Sequence, residues 1–250
     1  MSALTQIHED VNNELERMRN ESCVALFDDD CCASAAWNVR SNSAVLGCGH
    51  HNDERPATCK VIGVVNPCLT HFLPPTHGFS SIINQRFFDL HFSIGKPFGF
   101  PSYEEAFDIQ QRNLKMFMDA LNIEPMKPYG VLTEKSAIER GGAVTFTHTI
   151  LMEVPESSKP PGDPMLFNLL KSCPTRDALT RFAMETAISL GSHELKPLCV
   201  YNVHGEIVPP TAVRRALESA LVEVDFFLHY NSGCGFRASP IKINLIATNV

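Results

Sequence analysis

The chain reads as a mainly β, α+β protein: an antiparallel β-sandwich core with an N-terminal helical arm and helical insertions. Three observations predict this. The stretch GAVTFTHTILMEVP, residues 142–155, alternates with a period of two. Phe87 to Ile94 and Val222 to Tyr230 do the same. The helical patterns do not alternate one for one with the strands, which argues against a doubly wound parallel sheet.

The elements follow in order. Leu4, Ile7, Val11, Leu15 and Met18 recur at steps of three and four between charged residues, so residues 2–20 form a helix with one apolar stripe. Cys23 to Phe27 and Ala33 to Val39 are short apolar runs, broken by Asp28-Asp29-Asp30 and by Ser41-Asn42-Ser43, which is the pattern of hairpins. The acidic run reads as a solvated turn. Residues 47–53 are a loop by composition, Cys59 to Val65 is a strand, and residues 66–79 are a proline-rich crossing.

In the strand Phe87 to Ile94, residues Phe88, Leu90, Phe92 and Ile94 face the core. Ser102-Tyr103-Glu104-Glu105 has the form of a capping box and opens a helix to about Leu121, with Ala106, Phe107, Leu114, Phe117, Met118 and Leu121 as its buried stripe. The 142–155 stretch, with its Gly-Gly start and its stop at Pro155, is expected to be a central strand. Helices are expected over 164–171, 175–190 and 211–220, and strands over 198–204, 222–230 and 241–248.

Length and composition bound the rest. With 250 residues of which 44% are hydrophobic, the chain can bury a full core, read here as a helical arm over residues 1–20 and a single β-sandwich domain with helices over 21–250. A formal net charge of -7 argues against nucleic acid or an anionic membrane as the main partner, because both call for a basic face. No apolar run reaches the roughly 18–20 residues of a membrane span, so a soluble protein of the cytoplasm is expected.

Residue chemistry offers two enzymatic patterns. Cys48, His50, His51 and Cys59, with Cys31, Cys32 and His71 near in sequence, are ligand types that zinc prefers, but the C-x2-C and H-x3-5-H spacings are missing. A cysteine nucleophile is drawn from Cys68 with His71, or from Cys234 between Gly233 and Gly235. No G-x-S-x-G elbow, P-loop or zincin helix occurs. His148, on the apolar face of its strand, reads as a buried neutral histidine with a hydrogen-bonded ring.

Several segments, in order, resemble the cypovirus polyhedrins, which crystallise in infected insect cells around virus particles. They are GHHND at residues 49–53, RFFDLHFS at 86–93, PMKPYGVLTEK at 125–135, the 142–155 strand ending Glu153-Val154-Pro155, and LVEVDFFLHYN at 221–231. The resemblance implies a non-enzymatic structural matrix protein of occlusion bodies in the host cytoplasm, partnered by itself, as trimers in a lattice, and by virus particles. It implies no required cofactor and no metal; some relatives bind nucleotides, and no matching motif places such residues here.

It also implies that Leu4, Ile7, Val11, Leu15 and Met18 form an assembly helix between molecules. The chain departs from the family in having only four tyrosines. Part of the alkaline trigger that tyrosines supply in relatives is therefore assigned to thiols, with Cys23, Cys31, Cys32, Cys48, Cys59 and Cys68 as candidates.

Overall fold

The computed structural model describes residues 3–21, 24–48, 56–66, 89–121, 131–133, 142–149, 151–153, 193–209, 212–233 and 235–248. Helices α1 (Ala3–Glu21), α2 (Asp29–Ala33), α3 (Pro101–Ala120) and α4 (Val213–Leu217) accompany strands β1 (Val24–Ala25), β2 (Ala35–Arg40), β3 (Ser43–Cys48), β4 (Cys59–Val65), β5 (Asp89–Gly95), β6 (Leu132–Thr133), β7 (Ala143–Thr149), β8 (Leu151–Glu153), β9 (His193–Leu195), β10 (Val200–Tyr201), β11 (Leu221–Asn231) and β12 (Gly235–Ala247). The fold is mainly β with a few helices, as its alternating segments predict. The expected crossing at 66–79, beyond Asn66, and the expected helices at 164–171 and 175–190 lie outside the described residues.

One 10-stranded sheet runs β10-β12-β11-β4-β5-β7-β6, with β1 on β4 and the β2–β3 hairpin joined to β11 through β3. Its ladders are antiparallel except for β1–β4 and β10–β12. The layers of the expected sandwich belong to this one sheet, which curls until β7 packs across β12 without pairing to it. The first core fills the curl. Phe92 stacks on Phe146 with ring centroids 4.8 Å apart, and Phe146 meets Phe226 edge-on at 5.3 Å.

Because side chains alternate along a strand, β4 and β11 each feed two cores. Cys59, Val61, Val65, Val222, Val224, Phe226 and Leu228 enter the first, while Ile62 and Leu221 enter a second core with Val64 packed at its edge. Helix α1 closes that second core. Leu15 and Met18 are buried in it and Val11 packs against it, so this half of the stripe belongs to the chain's own interior and not to a neighbouring molecule. The side chains of Leu4 and Ile7 lie outside the description.

The stretch expected to form one central strand is divided. Residues Ala143–Thr149 pair with β5 in register from Gly95↔Ala143 to Asp89↔Thr149, next to the β6 end of the sheet. Leu151–Glu153 takes β9 as its partner in a separate two-stranded sheet. The helix expected at 211–220 is shorter, Val213–Leu217, and the last strand begins earlier, at Gly235.

Helix α3 starts one residue before the expected capping box. Pro101 occupies the first turn, where a missing N–H costs nothing, and no side chain caps Phe100. Glu104 nevertheless turns back and accepts the Gly99 N–H at 2.8 Å. The buried stripe contains Ala106, Phe107, Leu114 and Phe117 as expected, and also Tyr103 and the polar Gln110 and Asn113.

Candidate functional site

The densest polar group in the described structure lies between α1 and the β4–β11 pair. Glu223 projects from β11 on the side opposite Val222 and Val224 and is fully buried; Lys60, on β4, is also buried. The register sets Glu223 opposite Ile62 and Asp225 opposite Lys60. The Lys60 ammonium pairs with Glu223 Oε1 and lies 3.2 Å from Asp225 Oδ1. From above, Arg17 Nη2 of α1 donates to Glu223 Oε2 at 2.7 Å while its Nε donates to Glu14 at 3.1 Å.

Two cations therefore share one buried carboxylate, and the pairing offsets a desolvation cost that either charge alone could not meet. The arrangement fixes where α1 crosses the sheet. It brings no nucleophile or acid–base pair to a cleft.

A second polar knot ties α2 to its neighbours. Asp28 is the N-cap of α2, its Oδ1 accepting the N–H groups of Asp30 and Cys31 at 3.0 and 3.1 Å. Arg19 of α1 lies 2.8 Å from Asp28. Asp29 receives Arg112 and Asn113 of α3, and these donors hold its carboxyl below the usual carboxylate range. The acidic run read as a solvated turn is thus a helix cap with charge partners on two other helices.

The cysteines separate by depth. Cys32 and Cys59 are buried in the first core, so neither can sit in a contact between molecules as a trigger thiol would. Burial pushes the Cys32 thiol up to about 12, with Cys31 and the α2 aspartates adding to the rise. Cys31 and Cys48 are half-buried; burial also raises Cys31, helped by Asp28. Cys23, Cys68 and Cys234 lie outside the described residues, as do His50, His51 and His71 of the zinc and nucleophile patterns. Among the described residues no group of three or more His, Cys, Asp or Glu side chains is placed to hold a metal ion.

His148 has the hydrogen-bonded ring expected of it, Nε2 lying 2.8 Å from the Lys196 carbonyl, but it is only half-buried. A less obvious histidine is His229, directly opposite Arg237 in the β11–β12 ladder. Desolvation, and then the Arg237 charge, pull its ring below the ordinary histidine range.

Tyr103 lies under α1 in the second core, and burial, reinforced by Glu14, pushes its phenol up to about 12. Both Tyr103 and Cys32 are therefore held neutral by the fold at pH values where an unfolded chain has released their protons. Stability falls as pH rises above the unfolded values of about 9–10 and goes on falling until the folded value near 12 is reached. Tyr103→Phe should remove up to about 2–3 kcal/mol of that loss. Urea unfolding at pH 8, 10 and 11 checks this: the variant's decline should be shallower above pH 10, and parallel declines would refute the assignment.

No protein-family model matches the chain, and no curated protein matches it significantly. Among solved structures it is similar to gp2.5, a single-stranded DNA-binding protein encoded by bacteriophage T7, at 10% sequence identity and a TM-score of 0.35, over 76% of this chain and 92% of that one. A likeness of that size carries no argument about function.

Proposed function

We propose that this chain is the structural matrix protein of viral occlusion bodies, assembling in the cytoplasm of the infected host cell into crystals that embed virus particles and dissolve in alkali. Its partners are copies of itself, as trimers in a lattice, and the virus particles; it is not an enzyme and requires no cofactor. The observation that supports this reading is the order of the polyhedrin-like segments and where they fall. RFFDLHFS contributes to β5, the 142–155 stretch contains β7, and LVEVDFFLHYN is β11, all in one sheet. Segments far apart in sequence thus contribute to a common core.

The depth of the cysteines narrows the trigger. Of the candidate trigger thiols, Cys32 and Cys59 are inside the core, which leaves Cys31 and Cys48 as the described candidates near enough to the surface to ionise in a lattice contact. The test is expression of the intact chain in insect cells, with light microscopy and powder diffraction of the pellet. Micrometre-sized cytoplasmic crystals that resist neutral buffer and dissolve in the thiol-to-phenol pKa range are expected. Cells that accumulate the chain without forming crystals would overturn the reading, and the metal content of the protein would then test the Cys48–Cys59 alternative.

A further inference from the structure

Strand β2 is hydrogen-bonded on one side only. Its partner is β3, joined through the tight turn at Ser41-Asn42, and no strand lies on its other edge among the described residues. The Leu46 carbonyl turns away from β2 and accepts the Ala57 N–H at 2.7 Å. Trp37↔Leu46 is therefore a non-hydrogen-bonded pair, and by alternation so are Ala35↔Cys48 and Val39↔Ala44. The N–H and C=O groups of Ala35, Trp37 and Val39 point outward along the open edge.

The side chains agree with the backbone. Val39, an apolar β-branched residue, is 69% exposed, more than any other large hydrophobic among the described residues. Sheets usually guard such edges with proline, lysine or a bulge. The outer edge of β12 has this protection: Pro240 sits at a register shift opposite Asp225 and Phe226, before the pairing with β10 begins. On β2 the one charge is Arg40, at the turn end.

We propose that β2 is an association edge that pairs antiparallel with β2 of a second copy across a two-fold axis. The occupant follows from self-complementarity. With Trp37 opposite its own counterpart, each Val39 faces Ala35 of the second copy, and the outward groups of all three residues meet in about six backbone hydrogen bonds. Val39 and Trp37 then share one apolar strip across the junction. This edge does not depend on the occlusion-body reading, because it predicts a discrete pair in solution and says nothing of crystals.

The experiment is sedimentation of the purified full-length chain over roughly 0.1–50 µM, a range that brackets micromolar association. The expected species is a dimer. Val39→Pro deletes an N–H that β3 does not use, and Val39→Lys adds an edge charge; each should weaken the dimer at least about tenfold, with the far-UV spectrum and thermal midpoint retained. A wild-type chain that stays monomeric throughout would overturn the proposal. So would an assembly of any size that both substitutions leave intact.

Discussion

Glu223→Ala is expected to lower the free energy of unfolding by about 3–5 kcal/mol, a large share of what a domain of this size has to lose. The substitution leaves Lys60, buried to within a few per cent, with Asp225 at 3.2 Å as its remaining described counter-charge. It also removes the carboxylate that Arg17 reaches from α1. Arg17 is partly exposed and still has Glu14, so most of the loss falls on Lys60. Urea unfolding should show a lower midpoint with an unchanged slope, and hydrogen exchange should rise over residues 11–21 before it rises in β4 or β11.

The double variant Lys60→Met, Glu223→Leu separates attraction from desolvation. Apolar side chains of similar volume face no desolvation cost, so the double variant should recover most of the stability that the single one loses. What it should not recover is the placement of α1, because Leu15, Met18 and Val11 can slide over an apolar face whereas Arg17 cannot bond to one. Exchange that stays fast in α1 despite a restored midpoint is the expected outcome. If α1 is as protected as in the natural chain, the ion pair does not position the helix.

How much of this was legible follows from the side chains themselves. β5, β7 and β11 are readable because one face is apolar and the register keeps it so; Leu90, Phe92, Ile94, Val144 and Phe146 are all buried. The ion cluster is not readable by the same logic, since Glu223 and Asp225 alternate with Val222, Val224 and Phe226 and look like the wet face of a strand. Helix α1, distant in sequence, covers that face. The usable signal was density: β4, Cys59–Val65, has a single charge in an otherwise apolar run, and a lone lysine there calls for a buried carboxylate elsewhere. The change of partner between β7 and β8 had no sequence signal, because the alternation continues from one strand into the next.

Gln110→Leu should cost about 2–4 kcal/mol although it adds an apolar residue to a buried position, and the reason is a gap in the sheet. On the side of β4 away from β11, β1 pairs with Cys59 and Lys60, and β5 pairs with Val64 and Val65. Among the described residues no strand lies beside Ile62 on this edge. Gln110 reaches down from α3 and fills the place of one: its Oε1 accepts the Ile62 N–H at 3.0 Å and its Nε2 donates to the Ile62 carbonyl at 2.6 Å. Both groups are buried, as is Gln110, so leucine would strand a backbone donor and an acceptor where water cannot reach. Helix periodicity puts Gln110 on the buried stripe, three residues after Phe107 and four before Leu114, but its polar side chain hides it from a reading of apolar residues, because the requirement lies in β4's backbone, which no side-chain pattern reports. Gln110→Glu discriminates further: a carboxylate can accept from the Ile62 N–H but, when ionised, cannot donate to its carbonyl, so it should be at least as damaging at neutral pH and partly recover as the carboxyl protonates in acid. A Gln110→Leu chain with the natural unfolding midpoint would mean that the gap is not sealed by this amide.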